Sequence, residues 1–364
     1  MNAFCLSIEN LKKELHDDSA DLTFIPAVEQ EFCDSHIPAK PWIGIIHNAQ
    51  HSPDEFYVPD LTRLCSRKYR PWFKHCKGLF TLTNVQEEFL NENLKSDHII
   101  PIHTIYYPIA EPENFIEKPL SFLKDWGKRK VDLVLIGSYQ RDFIFFYRAK
   151  VPENVQKVLL IGDEVVEREA NENCPKDIKR MPRASSDEYE KILESSILFL
   201  SLKTDGLANT LVLEAIARNL PIVAPRFRSV CQYLGDDYPL LYDPKETNLT
   251  GLIQIDMLEK AVEYLKKKDK SHLSQESFCK SIQESFVLRS IPPKAETFDV
   301  TISICSFKRS HHLPRIIDSL WNHQTFQGTI QIIVWNNNVE RKLTVEEICE
   351  QYVQSRFVKY NFEY

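Results

Sequence analysis

Short apolar runs alternate with longer polar or amphipathic segments along the chain. Such runs occupy residues 22–25, 42–46, 78–82, 102–107, 157–162, 197–202 and 222–224, and a further one opens the segment 131–143. Runs of this length, bounded by helical or loop segments, are typical of buried strands. Because strands and helices alternate, the pattern predicts an α/β fold in which parallel sheets are covered by helices on both faces.

The segment 205–225, DGLANTLVLEAIARNLPIVAP, carries clear local signals. It predicts a loop, a short helix and a buried strand at 222–224. Asn209 or Thr210 is placed to cap the helix, because a side-chain oxygen there can accept a hydrogen bond from a free backbone N–H group. Asn219 is placed to end the helix in a left-handed conformation, which asparagine tolerates.

Glu214 lies one turn inside this predicted helix. A carboxylate there could accept hydrogen bonds from the two hydroxyls of a ribose, while the free N–H groups of the helix start faced a phosphate. The alternative is that Glu214 is an ordinary helix acid, favoured by the helix dipole. The helix by itself leaves both interpretations open.

Polar residues also follow the predicted strand at 42–46. In open parallel sheets, ligands bind outside the carboxyl ends of the strands, so these residues are candidates for the acceptor side of a cleft. They are His47, Asn48, His51 and Asp54. A polar surface loop that turns at Pro53 is the alternative.

The composition describes an ordinary globular protein and excludes several classes. Hydrophobic residues make up 43% of the 364 residues, charged residues make up 27%, and the formal net charge is −7. A negative balance argues against binding nucleic acid or an anionic membrane through bulk charge. No apolar run approaches the roughly 18 residues that span a bilayer, and the start of the chain lacks the pattern of a secretory signal. We therefore expect a cytoplasmic protein without a membrane span.

The cysteines and glycines disfavour further kinds of site and classes of enzyme. The nine cysteines are scattered without a Cys-x-x-Cys pair, which favours reduced thiols over a disulfide framework. A zinc ion at Cys65, His75 and Cys76 would lack a fourth ligand at useful spacing. Only nine glycines occur, and neither G-x-G-x-x-G nor G-x-x-x-x-G-K-[ST] is present, so a dinucleotide dehydrogenase or P-loop enzyme is disfavoured.

The sequence LVLEAIARNLPIVAP at 211–225 resembles the donor-binding helix of GT-B glycosyltransferases of the retaining, glycogen-synthase-like group. The pattern of that group is Glu-x7-Glu, followed by a helix of small residues and P-[IV]-[IV]-A. The match extends over about 131–243. Glu214 matches the second glutamate, which in that group binds ribose, whereas Gly206 stands at the first, with Asp205 one residue before it.

The resemblance implies two Rossmann-like domains that face a cleft. The N-terminal, acceptor-binding domain would span 1–122 and is short for that group, so one or more early strands are expected to be missing. The C-terminal domain, 123–291, would bind a nucleotide sugar, and its last helix at 272–291 would cross back onto the first domain. The implied activity is transfer of a sugar from a nucleoside diphosphate sugar to an acceptor, with retention of configuration and without a metal or other cofactor.

The same resemblance implies roles for particular residues. Arg141, just past a strand end, would stabilise the departing diphosphate together with Lys203 and the start of the helix. The alternatives are that Arg141 pairs with an aspartate on the surface and that Lys203 is simply solvated. The expected site is Arg141, Lys203 and His47 for catalysis, and Glu214, Asn209, Thr210, Gly137 and Gly206 for substrate binding.

A second resemblance begins at Asp299. The segments DVTISICSFKRSHHLPRIIDSLWNHQ and TIQIIVWNNN predict strand, helix and strand, and resemble the opening of a GT-A glycosyltransferase domain of the exostosin-like or family-2-like type. Ser306, Arg309 and Asn336 would approach a nucleotide there. Residues 299–364 contain no Asp-x-Asp motif and are too few to complete such a domain, so we expect a partial segment that supports a homo-oligomer rather than catalysis.

Two further functions are compatible with the same residues. A non-catalytic protein of the same fold, which binds a nucleotide sugar or an active partner, would explain the missing first glutamate. A nucleotide-sugar epimerase would also need a glutamate near Glu214, but would release free sugar without an acceptor. Turnover separates these classes, since a binding protein shows affinity without turnover.

Overall fold

A computed structural model describes most of the chain. The described residues are 22–31, 38, 40–51, 60–109, 120–124, 126–137, 139–161, 174–289, 300–306, 310–323, 330–336 and 358–361. The chain divides into two compact units, Met1–Pro292 and Pro293–Tyr364. The predictions made for Asp54 and Arg309 concern residues outside the described ranges.

The first unit alternates strands and helices, as the hydrophobic pattern predicts. Its described strands are β1 (Thr23–Ile25), β2 (Trp42–Ile46), β3 (Cys76–Thr81), β4 (Ile102–Thr104), β5 (Val131–Ile136), β6 (Val155–Leu160), β7 (Lys179–Met181), β8 (Ile197–Phe199), β9 (Ile222–Pro225) and β10 (Leu241–Tyr242). Its described helices are α1 (Val28–Glu31), α2 (Leu61–Leu64), α3 (Asn84–Asn93), α4 (Ser121–Lys124), α5 (Phe143–Arg148), α6 (Ser186–Ser195), α7 (Thr210–Arg218), α8 (Arg228–Leu234), α9 (Ile255–Lys267), α10 (Gln275–Gln283) and α11 (Phe286–Arg289). None of the helices in the described ranges has the length and apolar character needed to cross a bilayer.

Two parallel sheets are built from these strands. The first has the order β1-β2-β3-β4, and the second has the order β10-β9-β8-β5-β6-β7. Every pair of neighbours is parallel. All five residues of β2 are buried, as expected for a parallel strand covered on both faces. The prediction of an α/β fold with parallel sheets is confirmed.

The order of the six-stranded sheet reverses between β5 and β8. From β5 the chain moves outward to β6 and β7, then returns to the other side of β5 and continues to β9 and β10. The connections on the two sides of this point leave the sheet in opposite directions. At such a switch point, open parallel sheets bind ligands in a crevice outside their carboxyl edge, next to the loops that here follow β5 and β8.

One predicted strand of this sheet ends earlier than the apolar run 197–202. Strand β8 extends only to Phe199. Leu202 instead pairs with Arg141 in an isolated antiparallel bridge, which draws the chain away from β9. The difference matters because it brings the loop after β8 against the loop after β5.

Helix α8 joins the six-stranded half of the unit to the four-stranded half. Tyr233 of α8 is fully buried, and its hydroxyl donates to the carbonyl of Leu82 at 2.7 Å. The same hydroxyl accepts a hydrogen bond from the backbone N–H of Tyr107 at 3.0 Å, within the apolar run 102–107 that continues past β4. Residues from both sheets consequently share one hydrophobic core.

The helix predicted at 272–291 is broken into shorter pieces. Helix α10 starts where the Ser274 hydroxyl accepts a hydrogen bond from the N–H of Ser277 at 3.0 Å. Helix α11 starts after Ser285, whose hydroxyl accepts a hydrogen bond from the N–H of Leu288 at 3.2 Å. Serine side chains compete with backbone acceptors for helical N–H groups, so each of these residues begins a new helix.

Helix α11 packs against the first sheet. A Cβ atom at Gly78 of β3 would lie only 2.3 Å from Val287 Cγ1, so the strand has glycine where the helix approaches most closely. The ring of Phe286 meets the ring of His103 edge-on, with centroids 5.1 Å apart. The chain therefore crosses back onto the first sheet, as the resemblance implies.

The second unit contains a three-stranded parallel sheet. Its strands β11 (Val300–Ser306), β12 (Ile330–Asn336) and β13 (Val358–Asn361) lie in that order, and α12 (Leu313–His323) lies between β11 and β12 in the chain. Ser306 and Asn336 are paired in register at the carboxyl ends of β11 and β12. The predicted strand, helix and strand are confirmed, whereas the sequence did not predict β13. The GT-A resemblance stays a prediction.

Candidate functional site

Two loops meet at the crevice between β5 and β8. The backbone N–H of Lys203 donates to the carbonyl of Gln140 at 2.9 Å, and Arg141 pairs with Leu202. The two basic residues that the sequence predicts for the diphosphate therefore lie on adjoining loop segments. The structure holds both at the carboxyl edge of the sheet, where ligands of such folds bind.

Arg141 is buried within the loop after β5, with 6% of its surface exposed. Its Nε donates to the carbonyl of Ile136 at 2.9 Å, and its Nη1 donates to the carbonyl of Tyr139 at 3.2 Å. Burial lowers the pKa of Arg141 to about 10, so the guanidinium stays charged at neutral pH. The surface position that the sequence left open for Arg141 is therefore wrong.

Gly137 makes room for this arrangement. Its φ angle is +86°, in the region that favours glycine, and a Cβ atom there would lie 3.3 Å from Nη2 of Arg141. Lys203 has an exposed side chain at the mouth of the same crevice. The two adjoining loops thus carry one buried cation, Arg141, and one exposed cation, Lys203.

Helix α7 begins and ends as the sequence predicts. The Asn209 side chain accepts a hydrogen bond from the N–H of Leu211 at 3.0 Å, and Thr210 is the first helical residue. Asn219 adopts the left-handed conformation at the other end, with φ at 56°. The start of α7 therefore faces the carboxyl edge of the sheet with its remaining N–H groups.

Glu214 is half-buried on α7 and contacts a residue that the sequence did not single out. Its Oε2 accepts a hydrogen bond from the hydroxyl of Tyr189 on α6 at 2.6 Å. Burial raises the pKa of Glu214, although this bond and the nearby charge of Arg218 act in the opposite direction.

Tyr189 therefore joins α6 to the carboxylate of Glu214 on α7. The pKa of its phenol is raised, first by burial and then by the neighbouring carboxylate of Glu214, so Tyr189 remains a hydrogen-bond donor at neutral pH. The sequence signal at this place was the capping box formed by Ser185 and Glu188, which the structure contains. That signal predicts where α6 starts, but it says nothing about a contact 25 residues away.

The position of the first family glutamate is occupied by a tight turn. Gly206 has φ at +102° and is buried. The neighbouring Asp205 accepts hydrogen bonds from the N–H groups of Gly206 at 2.7 Å, Arg228 at 2.9 Å and Ser229 at 3.0 Å. Its carboxylate thus binds the free N–H groups at the start of α8 and stabilises that helix.

The four-stranded sheet contributes the loop after β2 to the other side of the crevice. Glu29 of α1 is buried, and its Oε1 accepts hydrogen bonds from the N–H groups of His47 at 2.7 Å and Asn48 at 2.6 Å. The Nε2 of His47 lies 2.8 Å from the carbonyl of Pro26, where it acts as the donor. His47 is therefore held by the protein on its Nε2 side.

Hydrogen bonds tie this loop to the loop after β5. The hydroxyl of Tyr139 donates to Oδ1 of Asn48, and Nε2 of Gln140 donates to the carbonyl of His51, both at 3.2 Å. Gln140 has φ at 59° and a buried Oε1 without a partner in the described residues. Backbone strain and an unpaired buried oxygen are features that persist mainly at functional loops.

A third hydrogen bond between the two halves of the first unit lies at the turn of the loop after β8. The hydroxyl of Thr83 donates to the carbonyl of Gly206 at 3.1 Å. Thr83 also caps α3 through a capping box with Gln86. The crevice is therefore bounded by loops from both sheets, and the predicted residues His47, Asn48 and His51 lie on the side opposite Arg141.

Metal ligation finds no support in the described part of the chain, which contains no group of three or more His, Cys, Asp or Glu residues able to hold an ion. Burial raises the pKa of Cys65 to about 11 and that of Cys76 to about 12. Both thiols are consequently protonated at neutral pH.

Solved structures resemble this chain, although no protein-family profile and no curated protein sequence matches it. HepE from Anabaena in complex with UDP-glucose has a TM-score of 0.55 at 13% sequence identity, and the match covers 79% of this chain and 82% of that chain. The same protein in complex with UDP and glucose has a TM-score of 0.54 at 14% identity, with coverage of 79% and 82%.

A third structure has the same architecture. Sucrose-phosphate synthase from Thermosynechococcus elongatus has a TM-score of 0.51 at 12% identity, and the match covers 79% of this chain and 78% of that chain. HepE and sucrose-phosphate synthase are GT-B glycosyltransferases. At such identities the likeness concerns the fold. The chain therefore has the fold of the GT-B glycosyltransferases, with parallel Rossmann-like α/β sheets.

Proposed function

We propose that the chain transfers a sugar from a nucleoside diphosphate sugar to an acceptor. The observation that carries this proposal is the crevice at the point where the strand order reverses. There the buried cation Arg141 lies on the loop after β5, and the half-buried carboxylate of Glu214 on α7 accepts a hydrogen bond from the hydroxyl of Tyr189. The fold supports the proposal, since HepE, which resembles this chain, is solved with UDP-glucose.

The charged groups suggest how such a donor is held. Glu214 accepts a hydrogen bond from the ribose, while the N–H groups at the start of α7 face the diphosphate. Arg141 and Lys203 supply positive charge that stabilises the diphosphate as it leaves. Since fixed cations take this charge, we propose a metal-independent transfer. Retention of configuration is proposed from the resemblance at 211–225.

A non-catalytic nucleotide-sugar-binding protein is the second candidate. The observation that favours it is the turn at Asp205 and Gly206, where the related group has a glutamate. The Asp205 carboxylate is hydrogen-bonded to the start of α8, so it is not available to replace that glutamate at the donor sugar. Turnover separates the two candidates, because only the transferase hydrolyses or transfers the donor.

The test is a thermal-shift screen of the purified protein against nucleoside diphosphates and their sugar conjugates. A ligand at 100 times its Kd stabilises the folded state by about 2.7 kcal/mol, so binding is readily detected. The donor that stabilises the protein is then incubated with it, and release of nucleoside diphosphate is measured. Stabilisation with turnover supports the transferase, stabilisation without turnover supports the binding protein, and no stabilisation by any nucleotide contradicts both.

Donor binding is expected to survive an excess of chelator. The physical reason is that Arg141, Lys203 and the start of α7 provide the positive charge that a metal would otherwise provide. Affinity is measured with and without EDTA, followed by addition of Mg²⁺ or Mn²⁺ as the control. An absolute requirement for a divalent ion would contradict the assignment to this crevice and would direct attention to the second unit.

Residues beyond Pro293 are expected to be dispensable for donor binding. The chain divides into its two units between Pro292 and Pro293, and α11 already returns to the first sheet before that point. Ending the protein at Pro293 should change nucleotide affinity by less than about threefold. Oligomeric state or solubility should change, as measured by light scattering. Loss of donor binding in a truncated protein that is still folded would place the nucleotide site in the second unit.

A further inference from the structure

The two carboxylate oxygens of Glu214 differ in their surroundings. The Oε2 atom receives the hydroxyl of Tyr189 at 2.6 Å, a length typical of a strong hydrogen bond to a charged acceptor. In the part of the chain that the structure describes, Tyr189 is the only residue that hydrogen-bonds Glu214. The Oε1 atom is therefore the oxygen that remains for a ligand.

Tyr189 is held firmly enough to keep this bond. It lies on the first turn of α6, which is stabilised by the capping box of Ser185 and Glu188, and its ring packs against the hydrophobic core. Its phenol remains protonated at neutral pH because burial and the Glu214 carboxylate both raise its pKa. The hydroxyl therefore always donates, and Glu214 always accepts.

The neighbouring cation, Arg218, does not compete with Tyr189 for a hydrogen bond to Glu214. Arg218 lies one turn after Glu214 on α7, but its guanidinium donates to Glu190 through two bonds, of 2.7 Å and 3.2 Å. Arg218 therefore acts on Glu214 through its charge, and Tyr189 determines which way the carboxylate is turned.

We infer that Tyr189 is a positioning residue that fills one oxygen of Glu214, so that Glu214 accepts a single ribose hydroxyl of a nucleoside diphosphate, through Oε1. This inference rests on the proposed function and adds to it. A bidentate contact would place one ribose hydroxyl on each carboxylate oxygen, and a hydroxyl at Oε2 would have to share that oxygen with the phenol. The two ribose hydroxyls therefore make unequal contributions to affinity, and Glu214 accepts a hydrogen bond from only one of them.

The closing experiment compares nucleotides that lack one hydroxyl. Calorimetry measures the affinity of the full-length protein for UDP, ADP and GDP, and then for the 2′-deoxy and 3′-deoxy forms of the nucleotide that binds. We expect one deoxy form to bind about 10- to 100-fold more weakly, as for a lost hydrogen bond to a charged group, and the other to stay within about threefold. Equal losses with both deoxy forms would overturn the inference.

A double-mutant cycle tests whether Tyr189 acts through Glu214. In Tyr189→Phe the second carboxylate oxygen is released, so both deoxy forms should lose affinity relative to the ribonucleotide. In a Glu214→Gln background, Tyr189→Phe should have no further effect on the preference between the deoxy forms. An effect of Tyr189→Phe that is the same with and without Glu214 would overturn the positioning role.

Tyr238→Phe is the matched control. Tyr238 is fully buried, and its hydroxyl accepts a hydrogen bond from the N–H of Ile222 at 3.0 Å, at the amino end of β9 and away from the crevice. This variant should lose stability but keep the wild-type preference between deoxy forms. If wild-type protein binds no nucleotide, the proposed function fails. If it binds a nucleotide but loses the same affinity with the 2′-deoxy and the 3′-deoxy form, only the present inference fails.

Discussion

Replacing Glu29 by alanine is expected to lower the free energy of unfolding by about 2–5 kcal/mol. The carboxylate of Glu29 accepts hydrogen bonds from the N–H groups of His47 and Asn48, and each N–H left unpaired in the interior costs roughly 1–3 kcal/mol. The loop after β2 forms one side of the crevice, so donor binding should weaken as well. Denaturant unfolding measures the loss of stability, and calorimetry measures the loss of affinity.

Glu29→Gln is the matched control, because its side-chain carbonyl can still accept both hydrogen bonds. The glutamine variant should be clearly more stable than the alanine variant. If the two variants unfold at the same denaturant concentration, the hydrogen bonds to His47 and Asn48 are not what Glu29 contributes.

The pH dependence of the free energy of unfolding, compared between wild type and Glu29→Gln, has a defined sign. Burial raises the pKa of Glu29 above its usual value of 4.5, so the folded state binds this proton more tightly than the unfolded state does. Wild-type stability should therefore fall as the pH rises from about 4.5 through the folded-state pKa, a change that Glu29→Gln lacks. The stability of Glu29→Gln relative to wild type should rise over that window. A flat or falling difference would contradict the raised pKa.

Glu214→Ala is expected to weaken nucleoside diphosphate binding about 10- to 100-fold. A hydrogen bond to a charged group contributes about 1.5–3 kcal/mol, and the ribose would lose its carboxylate partner. Fold stability should change little, because the substitution removes a single hydrogen bond, the one from the Tyr189 hydroxyl, at a partly buried position. Calorimetry gives the affinity, and thermal unfolding confirms that the variant is folded.

Glu190→Gln controls for the loss of a nearby negative charge, because its amide oxygen can still accept a hydrogen bond from Arg218. Glu190 pairs with Arg218, and about half of its side chain is exposed, at 49%. Because exposed ion pairs contribute little, removal of its charge should change affinity by less than about twofold. Wild-type affinity in a correctly folded Glu214→Ala protein would contradict the ribose assignment.

Local chemistry explains the predictions that the structure confirms. Asn209 and Asn219 mark the two ends of α7 because a capping side chain and a left-handed backbone act within a few residues. The capping box that begins α6 is local in the same sense. The helix at 272–291 was predicted as one piece, while the break at Ser285 depends on one hydroxyl that bonds a backbone N–H.

The site was predicted only in part. The sequence, with its resemblance, selected Arg141 and Glu214, and the structure brings both to one crevice. It did not select Tyr189, which hydrogen-bonds Glu214, because that contact joins two separate helices. It also left Arg141 a choice between surface and crevice, which depends on how the loop folds around the guanidinium.

The sequence by itself determined the alternation of strands and helices, the parallel α/β class and the ends of individual helices. These features follow from side-chain periodicity and from hydrogen bonds between near neighbours. Only the tertiary structure decided the strand order that opens the crevice, the burial of Arg141, and the partners of Asp205 and Glu214. The physical reason is that hydrogen bonds and burial at these positions join residues from separate elements, and no local pattern records which elements will meet.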